Sequence, residues 1–393
     1  MRVVNLDYGA ATPLDPIVLQ AMLPYMTEYY GNPSSGHSLG KKPRQALAEA
    51  REKVAQLIGG QPARVLFTAS ASEANNMVLK GVAAAGKKKG NHIVTSAIEH
   101  FSILNPLKTL EKEGLKTTLL PVDEQGLLAP EQLEKAITPE TILVSIAAAN
   151  PEIGTLQDLQ ALAAIAKERG VPFHTDATAA AGWIPLDVED LGVDLLTLAG
   201  DQLYGPKGSA ALYLGKGVRI RPLLEGGIQE RGLRGGTENI PAIVGLGEAA
   251  RIAREDMAER SKHLAGLREQ LKERLLGSVP QLHVNGHPTR RLPHNLHVSV
   301  EFVEGEALLM HLDMAGIYVS SGSSCTSQAL KSSHVLAAIG LPPELAQGSL
   351  LLTLGRDSKA EDVDYVSREL ARIAQLLRAM SPLYQKYLKK GRE

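Results

Sequence analysis

Between residues 60 and 215, short aliphatic and β-branched runs alternate with amphipathic patterns of helical period, and this alternation narrows the fold more than any other feature. Residues 65–68, 92–96, 117–121, 142–147, 171–176, 195–199 and 210–214 read as strands. Residues 73–85, 101–113, 130–136 and 157–169 read as the helices between them. Such a pattern predicts a mostly parallel sheet covered by helices on both faces. Sites on sheets of this kind lie beyond the carboxyl ends of the strands. The loops carrying Ser72, His100, Asn150, Asp176 and Gln202 each follow a predicted strand, so the five residues are expected on one rim.

A long helical pattern over 240–276 leads out of this region, followed by strands near 292–302 and 348–354 and a closing helix over 360–380. With 393 residues the chain exceeds what one core ordinarily supports. We expect a large α/β domain over 15–261 and a smaller αβ domain formed by 1–14 and 262–393. The net charge of −1 gives no field that would recruit nucleic acid or a membrane surface. No run is apolar enough to span a bilayer, and the N-terminus lacks the apolar region of a signal peptide. The single cysteine, Cys325, excludes intrachain disulfides and cysteine-rich metal sites and fits a reducing cytoplasm. Lys87, Lys88 and Lys89, bounded by Gly86 and Gly90, read as a solvated turn. His283, His287, His294 and His297 read as structural.

Several local motifs carry chemistry. Ala69-Ser70-Ala71-Ser72-Glu73 is a small-residue turn opening a helix, a geometry that aims amides at an anion, although Ser72 with Glu73 is also an ordinary helix start. Asn32-Pro33 reads alone as a turn. A lone histidine such as His100 at a strand end is more often structural than catalytic. Val319-Ser320-Ser321-Gly322-Ser323-Ser324-Cys325-Thr326-Ser327 sets a thiol in a Ser- and Gly-rich loop.

Together with Asp7-Tyr8-Gly9-Ala10-Ala11-Thr12-Pro13, Glu99-His100, His174-Thr175-Asp176-Ala177-Thr178 and Arg234-Gly235-Gly236-Thr237-Glu238-Asn239, these motifs resemble the NifS/IscS-type cysteine desulfurases over essentially the whole chain. That family has the pyridoxal-phosphate (PLP) transferase fold, with a seven-stranded, mostly parallel sheet in its large domain. The resemblance implies that Ala71, Ser72 and Thr237 bind the PLP phosphate, Thr237 from a second subunit of a homodimer. It implies that Asp176 pairs with the ring nitrogen, that His100 stacks on the ring, and that Asn32 and Arg356 hold the substrate carboxylate. Cys325 would take the substrate sulfur as a persulfide for a scaffold protein of iron–sulfur cluster assembly.

The departures are as informative. In Ala199-Gly200-Asp201-Gln202-Leu203-Tyr204-Gly205-Pro206-Lys207-Gly208, Gln202 stands where the family motif has the lysine that forms the Schiff base. Lys207 matches a different lysine of that motif. Asp201 and Ala199 replace phosphate contacts, Pro151 and Ala179 replace contacts to the ring oxygen, and Leu351 stands where many members have arginine. The main expectation is therefore a desulfurase-like protein with a degenerate cofactor site and little or no activity. It would work through Cys325 as a sulfur acceptor or as a ligand of an iron–sulfur cluster shared with a partner. The alternatives are an active desulfurase holding PLP noncovalently, with His100 as base, and a regulatory subunit paired with an intact paralogue.

Overall fold

The structure, a computed structural model, describes residues 2–321 and 333–390. After a short strand β1 (Val4–Asn5), helices α1 (Pro16–Thr27) and α2 (Ser38–Leu57) precede the sheet. The chain then runs β2 (Val65–Thr68), α3 (Ala71–Gly86), β3 (His92–Ser96), α4 (Phe101–Lys112), β4 (Lys116–Leu120), α5 (Pro130–Ala136) and β5 (Thr141–Ser145). It continues through α6 (Leu159–Glu168), β6 (Phe173–Asp176), β7 (Leu195–Ala199) and β8 (Ala210–Leu214). These strands form one seven-stranded sheet in the order β2-β8-β7-β6-β5-β3-β4. β4, β3, β5, β6 and β7 are mutually parallel, whereas β8 is antiparallel to both its neighbours. The inner strands β3, β5, β6 and β7 are buried along their whole length, and the edge strand β4 is half exposed. The expected mostly parallel sheet is present.

Boundaries shift where local chemistry overrides the apolar pattern. Pro172 cannot donate to a ladder, and β6 starts one residue beyond it. Asp158 caps α6 by accepting from Ala161 N (3.2 Å), which moves its start past Gln157.

Helix α7 (Ile240–Ser278) packs on α1 and α2 near its start and leads to a second, three-stranded antiparallel sheet. That sheet has the order β12-β10-β9, from β9 (Leu282–Asn285), β10 (Asn295–Val300) and β12 (Ser349–Thr353). Between β10 and β12 lie α8 (Gly305–Met314), β11 (Ile317–Tyr318), α9 (His334–Ala338) and α10 (Pro343–Gln347). β1 pairs in parallel with β11, so the chain start joins the C-terminal half. Helices α11 (Ala360–Met380) and α12 (Pro382–Lys390) close the described chain, with α11 against α7 and α8. Among the described residues no helix is long and apolar enough to cross a membrane.

Candidate active site

Asp176 ends β6, and its carboxylate is held on both oxygens. Thr178 donates its backbone N–H (3.0 Å) and hydroxyl (2.5 Å) to Oδ1, and Asn75 Nδ2 donates to Oδ2 (2.7 Å). The other amide proton of Asn75 goes to Ser102 Oγ (2.8 Å), and Ser102 Oγ lies 2.8 Å from His100 Nδ1. Ser102 N–H also donates to that Nδ1 (3.1 Å), making His100 the cap of α4. Nδ1 is thus an acceptor, which puts the proton of the neutral imidazole on Nε2, at the exposed edge of the ring. Asn75 is fully buried and its Oδ1 has no partner among the described residues. α3, α4 and β6 are thereby fixed to one another at the carboxyl edge of the sheet.

The start of α3 is capped by Ser70, whose Oγ accepts from Glu73 N (3.1 Å), while Glu73 Oε2 accepts from Ala69 N (2.9 Å). Ala71 and Ser72 occupy the first helical positions, where backbone amides have no acceptor within the helix. Arg234 Nε donates to the other oxygen of Glu73 (2.9 Å). A cleft of about 170 Å³ beside this turn is lined by Thr68, Ala69, Gly208, Arg234 and Thr237.

Gln202 lies in the one-turn helix after β7, next to the end of β6. Its Nε2 donates to Gly9 O (3.2 Å), which leaves the amide oxygen as its acceptor end. The backbone oxygen of Asp201 accepts from both the hydroxyl (2.8 Å) and the amide (3.0 Å) of Thr12. Burial raises the Asp201 carboxyl above the usual range, opposed by hydrogen bonding to its own backbone and by Lys207. Thr12 Oγ1 in turn accepts from Tyr204 N (2.9 Å), and Tyr204 sits at a φ of 58°. Tyr204 OH accepts from Arg356 N (2.7 Å), and the guanidinium of Arg356 lies 4.7 Å from the Tyr204 ring centroid. Arg356 is ion-paired with Asp15, the cap of α1. Burial works against that charge and the Asp15 carboxylate outweighs it, so the Arg356 pKa is raised. The N-terminal segment, the Gln202 turn and Arg356 thus form one cluster.

Asn32 is exposed, its Oδ1 accepting from Ser34 N (2.8 Å) in an Asx turn. Asn150 is buried and uses its side chain internally: Nδ2 donates to Ile98 O (2.8 Å), and Oδ1 accepts from Glu152 N and Ile153 N. Ala199 and Leu351 are buried in β7 and β12. Cys325 lies outside the described residues. Sequence reasoning assigned no role to Asn75, Ser102 or Asp15. A polar residue amid the apolar face of α3 was the signal for Asn75, whereas nothing local joins Asp15 to Arg356 far along the chain.

Two further carboxyls are buried at this edge. Glu99, after β3, accepts from Ser96 Oγ (2.6 Å) and Ala147 N (3.0 Å) on Oε1, and its other oxygen is unpartnered among the described residues. Burial pushes its pKa up to about 8, against the two hydrogen bonds and with the help of the Asp176 charge. Burial likewise pushes Glu152 up to about 7, against its bond from Ser333. Both carboxyls keep a proton that the unfolded chain releases near pH 4.5, so their stabilising effect is present below that pH and is lost as pH rises through 7 and 8. Burial lowers His174 to about 4 and His294 and His297 to about 3, so their neutral rings stabilise above pH 6.5 and that effect is lost as pH falls. The melting temperature is therefore expected to peak near pH 6.5 and decline toward pH 8. Calorimetry on Glu99→Gln checks this, with a flatter alkaline limb as the expected outcome.

The mostly parallel seven-stranded sheet with its smaller C-terminal αβ region is the architecture of PLP fold type I, and a buried aspartate, a histidine-capped helix and a capped helix start lie at the carboxyl edge of that sheet. The chain belongs to the class-V aminotransferase family, described as Aminotransferase class-V, which matches residues 4–366. It is a homologue of the IscS/NifS-type cysteine desulfurases. It is 48% identical over 385 residues to a cysteine desulfurase IscS of Methanosarcina thermophila, an alignment covering 98% of this chain and 95% of that protein. A solved NifS-like protein superposes with a TM-score of 0.90 at 38% identity, covering 96% of this chain and all of the other. A structure described as SspA in complex with cysteine superposes with a TM-score of 0.79 at 34% identity, covering 89% of this chain and 98% of that one.

Proposed function

We propose that the chain takes sulfur from L-cysteine, with PLP held by noncovalent contacts alone and Cys325 receiving the sulfur. The observation that carries this reading is the unbroken hydrogen-bond chain from Asp176 through Asn75 and Ser102 to His100. A buried carboxylate supported by three donors suits a protonated ring nitrogen, and the free amides of Ala71 and Ser72 suit a phosphate. When bound, PLP supplies an electron-withdrawing ring that acidifies the Cα–H of an amino acid joined to it. Arg356 and Asn32 would take the substrate carboxylate, and Thr237 of a second copy would complete the phosphate site. In the net reaction L-cysteine and the Cys325 thiol give L-alanine and a Cys325 persulfide. The substrate C–S bond breaks, an S–S bond forms, and the thiol proton ends in the alanine methyl group.

The difficulty lies in removing the Cα proton. Gln202, which we read as standing at the family's lysine position, has no basic lone pair, and its N–H is engaged by Gly9 O. With its proton on Nε2, His100 is set to donate rather than accept. Positioned acid–base catalysis contributes about 10²–10⁴-fold, so turnover is expected to fall short of a lysine-bearing relative by about that factor. Asp201 and Gln202 together favour a second reading. In it the site performs no desulfuration, and Cys325 accepts sulfur or ligates a shared iron–sulfur cluster while a homodimer docks on a scaffold protein or pairs with an intact paralogue.

Alanine formation from L-cysteine with excess PLP, measured beside Cys325→Ser, separates the two. Alanine that depends on cysteine and vanishes in the variant is the expected result. Background alanine in both proteins would leave the second reading.

A further inference from the structure

The backbone that carries Arg356, just after β12, is held residue by residue. Leu354 N donates to His294 O (2.9 Å), Gly355 N to Ser358 Oγ (3.0 Å) and Arg356 N to Tyr204 OH (2.7 Å), while Ser358 N returns to Gly355 O (3.0 Å). The Tyr8 ring occupies the space that a Cβ on Gly355 would need.

The guanidinium is held as well. Its Cζ lies over the Tyr204 ring, 4.7 Å from the centroid, and Nη1 donates to Asp15 Oδ2. Asp15 is buried, and its Oδ1 accepts from Ile17 N (2.7 Å) as the cap of α1, so the carboxylate cannot turn without uncapping the helix. Burial opposes the Asp15 charge, and the bonds from Arg356 and Ile17 outweigh it, holding the carboxyl below the usual range. Nε and Nη2 are the remaining donors. Neither has an acceptor among the described residues, and the side chain is 30% exposed. These N–H groups share one edge of the planar group and point the same way, the spacing that grips both oxygens of a carboxylate. An ion pair made for stability alone would use that edge, because it gives two bonds to one partner. The single tie at Nη1 leaves it open.

We propose that Asp15, together with Tyr204, is a positioning residue that presents the Nε–Nη2 edge of Arg356 to the carboxylate of an L-amino acid and so sets the handedness the site accepts. The proposal rests on reading Arg356 as the residue that takes the substrate carboxylate. A fork fixed in plane and direction meets a carboxylate in one orientation, and inverting Cα moves the carboxylate off it. A fork free to swing follows either hand.

The probes are N-phosphopyridoxyl-L-alanine and its D isomer, stable amines of identical charge, titrated into the full-length protein by fluorescence without turnover. Their affinity ratio cancels the effect of the Asp15 charge on an anion. The wild type is expected to favour the L isomer by at least about tenfold, the worth of one hydrogen bond to a charged group. Asp15→Asn keeps an acceptor for Ile17 N but sets an amide donor against Nη1, and it is expected to bring the ratio below about threefold. Tyr204→Phe, which keeps the ring and removes the hydroxyl, should narrow the ratio too, and it decides alone if Asp15→Asn does not fold. A wild-type ratio in these folded variants, lost in Arg356→Leu, would overturn the proposal and leave the role of Arg356 standing. A wild type that binds neither isomer or shows no preference, or a preference that survives in Arg356→Leu, would overturn both.

Discussion

Gln202→Lys is expected to bind PLP covalently, seen as a cofactor-sized mass increase after borohydride reduction, while raising alanine formation by less than about tenfold. On the reading proposed above, a lysine at 202 supplies an amine in the turn after β7 but not the neighbours that the family motif carries. Asp201 still places a carboxyl beside that position, half-buried and raised by burial. A carboxylate within about 4 Å of a phosphate costs about 1 kcal/mol in bulk water and several at protein-like dielectric. On the same reading, Ala199, Pro151 and Ala179 offer no side-chain donors where the family motif has them, and each bond to a charged group is worth about 1.5–3 kcal/mol. Every 1.4 kcal/mol is tenfold in affinity, so these terms outweigh what one amine returns. Adding Asp201→His to Gln202→Lys is expected to give a further gain of about tenfold or more. Turnover in the single variant equal to that of a lysine-bearing desulfurase would show that the neighbouring changes do not matter.

Glu230→Ala is expected to cost about 3–5 kcal/mol of stability in denaturant unfolding, the usual penalty for stranding a buried charge. Glu230 is 6% exposed and binds Arg51 through two bonds (2.6 and 2.8 Å), while one of its oxygens also accepts from Phe67 N (3.0 Å). Arg51 and Arg231 both donate to Val65 O. β2 is an edge of the large sheet, and these side chains supply partners that a neighbouring strand would otherwise provide. Glu230 and Arg231 sit at φ 46° and 62°, a conformation that non-glycine residues hold only when their surroundings fix them. Without the carboxylate the loop leading to Thr237 loses its anchor, and the end of β2 that feeds α3 loses its outer support. Glu230→Gln, which keeps the shape but not the charge, should lose less. Unfolding midpoints within 1 kcal/mol of wild type for Glu230→Ala would contradict this account of the edge.

The sheet was readable in the sequence because its inner strands are buried on both faces, so that β3, β5 and β7 are rich in aliphatic and β-branched residues without a polar-out alternation. Strand 195–199 and helix 360–380 coincide with the observed elements. Helices α1 and α2 were not anticipated. Each carries an interior proline, Pro24 and Pro43, and proline argues against helix until tertiary packing overrides it. Asp176 and His100 were singled out in the sequence, but their neighbours in chain order, Thr178 and Ser102, were given no role there, although both hydrogen-bond to them. The site was not legible where partners come from distant elements. Asn75 with Asp176, Asp15 with Arg356, and Glu152 with Ser333 each join residues that only the folded chain brings together.

Helix α7 runs unbroken for 39 residues, roughly 58 Å at helical rise, with its first turns on α1 and α2 and its later ones near β9 and β10. One stiff rod therefore touches elements of both regions, and the distance between them is set by its backbone hydrogen bonds. The outline of the molecule is then indifferent to its cargo. Filling or emptying the site would then leave the spacing of the two sheets unchanged.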